Sequence, residues 1–136
     1  MSNVSFILVY VDDVARSEAF YASILGRPAV ESSFTFAMLP AASGLMLGLW
    51  KRDGVLPPAS AAGGGEIAFI ADNKVHVDAL CAAWRAQDVA IALEPTAMDF
   101  GYTFVALDPD GQRLRVFAPA ADLSRRPALS VRAAGA

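Results

Sequence analysis

Residues 107–117 read Leu-Asp-Pro-Asp-Gly-Gln-Arg-Leu-Arg-Val-Phe. An apolar run ends at Leu107, Pro109 suits the second position of a tight turn, and Gly111 suits the place where φ turns positive. The alternation Arg113, Leu114, Arg115, Val116 then opens a new strand. Taken alone, the segment predicts a hairpin.

Outward from this hairpin, the chain repeats one pattern. Residues 4–11 (VSFILVYV) are rich in β-branched and aromatic types and end at Asp12 and Asp13, which predicts a buried strand. From Asp13 the spacing becomes helical through Val14, Ser17, Phe20, Tyr21, Ile24 and Leu25, with Asp13 as N-cap and Gly26 just past the C-terminus. Three short runs follow, Ala29 to Ser32, Phe34 to Leu39 and Leu45 to Trp50, predicting an antiparallel meander. Residues 51–65 (KRDGVLPPASAAGGG) can continue neither strand nor helix and are expected to be a linker. The order then recurs: a strand from Glu66 to Ala71, a helix started by Asp72 and running to about Gln87, and strands near Ile91, at Thr103–Leu107 and at Arg113–Phe117. The chain is an α+β fold of two βαβββ modules, 4–50 and 66–118, in which each half would leave a sheet face bare without the other. Residues 120–136, rich in Ala, Arg and Ser, are expected to form a flexible tail.

Composition narrows the function. The chain has 136 residues, the length of one domain of this kind, with a formal net charge of −3. Its eleven basic residues form no stripe that would neutralise phosphates, so nucleic acid is not an expected partner. The longest apolar stretch, Phe6 to Val11, is far short of the roughly 20 residues of a membrane span and lacks a basic leader. No membrane partner is expected, and the expected location is the cytoplasm. Cys81, the single cysteine, falls in an apolar helical pattern and reads as a buried structural thiol. His76, the single histidine, reads as a half-exposed helical residue with no catalytic role.

The Leu-Asp-Pro-Asp-Gly hairpin and the segment Val11-Asp-Asp-Val-Ala-Arg-Ser-Glu-Ala-Phe-Tyr-Ala-Ser-Ile-Leu-Gly26 together resemble the vicinal oxygen chelate (glyoxalase/bleomycin resistance/dioxygenase) superfamily. The resemblance covers residues 4–118. It implies two half-barrel modules forming a cleft, paired across a homodimer, with metal ligands commonly a His on the first strand, a His opening the second module and a Glu on the last strand. Matched on Leu-Gly, the glycine linker and Asp-Pro-Asp-Gly, those positions hold Phe6, Glu66 and Arg115. A phenyl ring offers no lone pair and a guanidinium stays cationic, so no metal or other cofactor is expected. Opposite charges on two strands that in relatives ligate one ion should instead meet, Arg115 donating to Glu66.

Strand alternation from these positions adds Leu8, Ala68, Arg113 and Phe117 as same-face neighbours. On the other strands the same resemblance points Phe34, Phe36, Met38, Met46, Gly48, Trp50, Thr103 and Val105 inward beside Phe6, Glu66 and Arg115, with Tyr102 as a further candidate from the segment Met98–Phe104. An aromatic and thioether surface with few polar groups suits a planar, largely apolar ligand. Segments 33–38, 44–50 and 98–104 look most like the phenazine-antibiotic resistance branch of the superfamily, which implies drug binding without a metal and resistance by sequestration. Two other functions remain open on the sequence. One is a glyoxalase-like or dioxygenase-like enzyme working without the usual metal, with Glu66, Asp99 or Tyr102 as acid or base. The other is a structural or regulatory dimer whose cleft is filled by side chains.

Overall fold

The computed structural model describes residues 4–56, 58–59 and 65–120. They fall into two compact units divided between residues 62 and 63. The expected tail, 120–136, lies outside the described residues except for Ala120, as does most of the glycine-rich part of the linker.

The first unit contains β1 (Phe6–Val11), α1 (Val14–Leu25), β2 (Glu31–Ser32), β3 (Phe36–Ala42) and β4 (Leu45–Lys51). They form a four-stranded sheet in the order β1-β4-β3-β2, with β1 parallel to β4 and the rest an antiparallel meander. Asp13 caps α1 by accepting from the Arg16 amide at 3.1 Å, and Gly26 ends it in the left-handed region at φ 71°. Buried Val14, Ser17 and Tyr21 mark the helix face turned to the sheet, where Val9, Val11, Leu39, Leu47 and Leu49 are also buried. Pro40 is tolerated within β3 because two-residue β2 has already ended there, so no partner needs the missing amide on that side. At the far end β4 runs on to Lys51, and Arg52–Gly54 forms a 3₁₀ turn, so the expected linker begins with ordered chain.

The second unit repeats the plan with β5 (Glu66–Ile70), α2 (Lys74–Ala86), β6 (Ala90–Met98), β7 (Gly101–Leu107) and β8 (Arg113–Pro119), in the sheet order β5-β8-β7-β6. The strand foreseen near Ile91 is longer than its apolar signal, running through Pro95 on the sheet edge with register shifts on either side of Leu93. The cap of α2 is Asn73, one residue later than expected. Its side chain accepts from the His76 amide at 2.9 Å, while the His76 ring Nδ1 accepts from the Asp72 amide at 3.0 Å. This reciprocal arrangement satisfies two helix-start donors and gives His76 a structural task. Trp84 of α2 packs edge-on against Phe69 and Phe104 at 5.8 and 5.4 Å between centroids, and Cys81 is buried on the same helix. In the Asp-Pro-Asp-Gly turn, Asp108 accepts from the amides of Asp110 and Gln112, both at 2.8 Å, and Gly111 stands at φ 86°.

Candidate functional site

Alternation gives each sheet one face under its helix and one face free of it. On the first sheet the register sets Phe6 beside Met46, Leu8 beside Gly48, and Tyr10 beside Trp50, with Phe36 next to Trp50 and Met38 next to Gly48. This is the face away from the buried valines and leucines that meet α1. Across β1, β3 and β4 it is apolar or aromatic apart from the Tyr10 hydroxyl and Trp50 N–H, with Glu31 beside Met38 at the β2 edge, and Phe6 and Leu8 are about half exposed on it, at 48% and 47%. A β-carbon on Gly48 would stand 2.6 Å from Leu8 Cδ2 and 3.0 Å from Phe36 Cζ. The missing side chain therefore lets Leu8 and Phe36 lean over β4 and close the floor. Tyr10, which alternation from Leu8 also points to, meets Trp50 edge-on at 6.4 Å.

Phe34 lies elsewhere. Ser33 folds back on Phe36, its hydroxyl accepting the Phe36 amide at 3.1 Å, so β3 starts at Phe36 and Phe34 stands in the preceding turn, exposed. Lys51 Nζ lies 5.5 Å from its ring centroid.

On the second sheet, the helix-free face carries Glu66, Ala68, Arg113, Arg115, Phe117, Thr103 and Val105 in one register. Arg115 holds Glu66 by both oxygens, Nε to Oε1 at 2.8 Å and Nη2 to Oε2 at 3.0 Å. Its Nη1 donates to the buried Thr103 hydroxyl at 3.3 Å, which in turn donates to the Val116 carbonyl at 2.8 Å. Phe100, from the β6–β7 turn, covers the guanidinium at 5.6 Å and meets Phe117 edge-on. That turn is fixed by Gly101, where φ is 150° and a β-carbon would lie 2.1 Å from the Ala118 carbonyl oxygen. Sequence reading missed Phe100, because a turn residue has no alternation to place it.

The hydrogen bonds from Arg115 hold the Glu66 carboxyl below its ordinary range, aided by the charges of Arg115 and Arg113, against a smaller opposing effect of burial. A carboxylate so held is a weak base, and it is ionised rather than a proton donor at neutral pH. Tyr102 is on the opposite face from Thr103. Its hydroxyl donates to Asp78 of α2 at 2.9 Å, and that bond raises its pKa. Adjacent strand residues point to opposite sides, so Tyr102 and Thr103 do not share a surface. Asp99 occupies the β6–β7 turn and is exposed.

The metal that the superfamily pattern implies does not fit these residues. Phe6 has no donor atom, Arg115 is a cation, and both Glu66 oxygens are engaged by that cation. Among the described residues, no group of three or more His, Cys, Asp or Glu side chains is placed to hold an ion.

Comparison with known proteins bears on the same geometry. Residues 3–116 match the Glyoxalase/Bleomycin resistance protein/Dioxygenase superfamily. A curated relative, the phenazine antibiotic resistance protein EhpR of Enterobacter agglomerans, is 31% identical over 112 residues, spanning 80% of this chain and 86% of that protein. A solution NMR structure of an Agrobacterium tumefaciens protein superposes with a TM-score of 0.79 at 46% identity, covering 89% of this chain and all of the other. A glyoxalase/bleomycin resistance protein/dioxygenase family enzyme from Burkholderia phytofirmans shares the fold, with a TM-score of 0.75 at 20% identity over 88% of this chain and 100% of that one.

Proposed function

The chain belongs to the glyoxalase/bleomycin resistance protein/dioxygenase superfamily, and on that premise we propose that it binds a planar aromatic small molecule of the phenazine class without a metal, conferring resistance by sequestering it in the cytoplasm. The observation that carries this reading is the helix-free face of the first sheet. Phe6, Leu8, Phe36, Met46 and Trp50 are gathered on one side of β1, β3 and β4, with two of them half open to solvent. A flat ring system would cover that surface with dispersion contacts, and each aromatic contact adds about 0.5–1.5 kcal/mol beyond the area buried. The 31% identity to a phenazine resistance protein supports the ligand class.

The metal-free part of the reading rests on Glu66 and Arg115, which satisfy one another where relatives would chelate. The enzyme alternative is less well supported. Glu66 is held ionised by its partner and Tyr102 is tied to Asp78, so neither is poised to exchange a proton.

A homodimer is part of the same proposal. β1 and β5 each end a sheet, leaving one edge of backbone groups that no other strand of their own sheet pairs with. A second copy covering those edges is the symmetric solution. Titration with phenazine, read by calorimetry and by a ligand-dependent rise in melting temperature, tests the binding assignment.

A further inference from the structure

One charged residue stands on the helix-free face of the first sheet. Glu31 of β2 pairs with Met38, Met38 with Gly48, and Gly48 with Leu8, so these four form one row across the sheet. Ser32, the next residue, sends its hydroxyl to Glu18 of α1, which marks the helix side of β2 and turns Glu31 to the other. Phe36, Trp50 and Tyr10 make the adjacent row, about 7 Å along the strands. Among the described residues of these four strands, Glu31 is the only formal charge on the face. Lys51, the one cation within the strands, alternates to the helix side beside buried Val11, and its Nζ donates to the Asp12 carbonyl at 3.2 Å.

A flat ring system lying over Gly48 and Met38 turns one edge toward Glu31, whose backbone is two strand spacings, about 10 Å, from Gly48. Its neighbours in the next row are rings with negative π-faces, of which Trp50 attracts a cation most strongly. A ligand anion would leave water for a face that holds no cation to pair with it, whereas a positive charge spread over a ring is drawn by both the aromatic faces and the carboxylate. We infer that the planar molecule taken on this face is an aromatic cation of the N-alkylphenazinium kind, with Glu31 as the residue that selects its charge. The inference rests on the planar-ligand reading and deepens it by naming the charge of the ligand. Every residue involved belongs to the first unit.

The test titrates N-methylphenazinium, phenazine and phenazine-1-carboxylate by calorimetry into the wild-type chain, Glu31→Gln and Glu31→Lys. Wild type should bind the cation about tenfold or more tightly than the carboxylate, with phenazine between them, and the spread should narrow as salt rises from about 50 to about 500 mM. Glu31→Gln should shrink the ratio of cation to phenazine affinity by about threefold or more, and Glu31→Lys should invert the order of the two ions. Two results would overturn the inference while leaving the planar-ligand reading intact: a wild-type chain that binds the carboxylate as tightly as the cation, or a ratio that Glu31→Gln leaves unchanged because all three compounds are affected alike. Binding of none of the three removes both. The melting temperatures of the unliganded variants, in which only an exposed edge residue is altered, separate a charge effect from misfolding.

Discussion

Arg115 reaches diagonally from β8 to Glu66 on β5 and holds it by two parallel hydrogen bonds of 2.8 and 3.0 Å. The pair is bidentate and only partly exposed, at 18% and 28% of the side chains, so it lies between a surface ion pair and a buried one. Removing one partner is expected to be asymmetric. Arg115→Leu leaves a part-buried carboxylate without its donors and should cost about 1–3 kcal/mol, whereas Glu66→Gln keeps a neutral acceptor and should cost less. Urea unfolding of the two variants checks the order; equal losses would contradict it.

The same pair sets a pH dependence. Glu66 has a lower pKa in the folded chain than its ordinary value, so the folded state binds its proton less readily than the unfolded one. Its contribution to stability is therefore complete above the ordinary glutamate pKa and is lost as pH falls through the lower folded value. The stability gap between wild type and Glu66→Gln should be constant near neutrality and shrink in acid. A gap that widens in acid would reverse the sign of the argument.

Gly101 is expected to be intolerant of any side chain. At φ 150°, with the Ala118 carbonyl oxygen 2.1 Å from where a β-carbon would stand, relief must come from the backbone of β7 or β8. Gly101→Ala should cost on the order of 2–5 kcal/mol, combining backbone strain with overpacking. Thermal unfolding measures it. Gly48→Ala is the control within the other sheet, since its neighbours are the flexible ends of Leu8 and Phe36 and can yield.

These residues also show what could be read in the sequence and what could not. The family pattern together with alternation pointed to Phe6, Leu8, Met46, Gly48 and Trp50, and the register sets them on one face because each strand is uninterrupted and carries a firm apolar partner set beneath it. Phe34 escaped this logic because the Ser33 hydroxyl captures the Phe36 amide and delays the strand by two residues. Tyr102 was drawn toward the site by its neighbours in the segment, although a one-residue step in a strand reverses the face. Phe100 and its stacking on Arg115 depend on a turn conformation that only three-dimensional closeness to Ala118 and Phe117 defines. The Glu66–Arg115 contact was foreseeable from complementary charge on strands related by the family pattern, while the added bond to Thr103 was not.

Trp50 is expected to carry a large share of ligand affinity. It stands on the helix-free face beside Tyr10 and Phe36, partly exposed and outside the buried core of its sheet. Trp50→Ala should weaken phenazine binding by about 1–3 kcal/mol, roughly tenfold or more, with little change in the fold. Calorimetric titration of mutant and wild type decides it, and equal affinities would dismiss the assignment.

Elemental analysis of the purified chain should find no stoichiometric transition metal, because the donors at the family positions are a phenyl ring, a guanidinium and a carboxylate already paired with it. One metal per chain would contradict this.

The central claim is that the apolar face of the first sheet receives a planar aromatic molecule. Its most direct measurement is the melting temperature of the purified chain against increasing phenazine, with the dissociation constant fixed in parallel by calorimetry. Ligand at 100 times its dissociation constant should add about 2.7 kcal/mol of stability, a rise on the order of 10 °C for a chain of this size. Saturable heat and a concentration-dependent rise of that order, both diminished in Trp50→Ala, are the predicted result. No heat and an unmoved melting temperature up to the solubility limit of phenazine would contradict it.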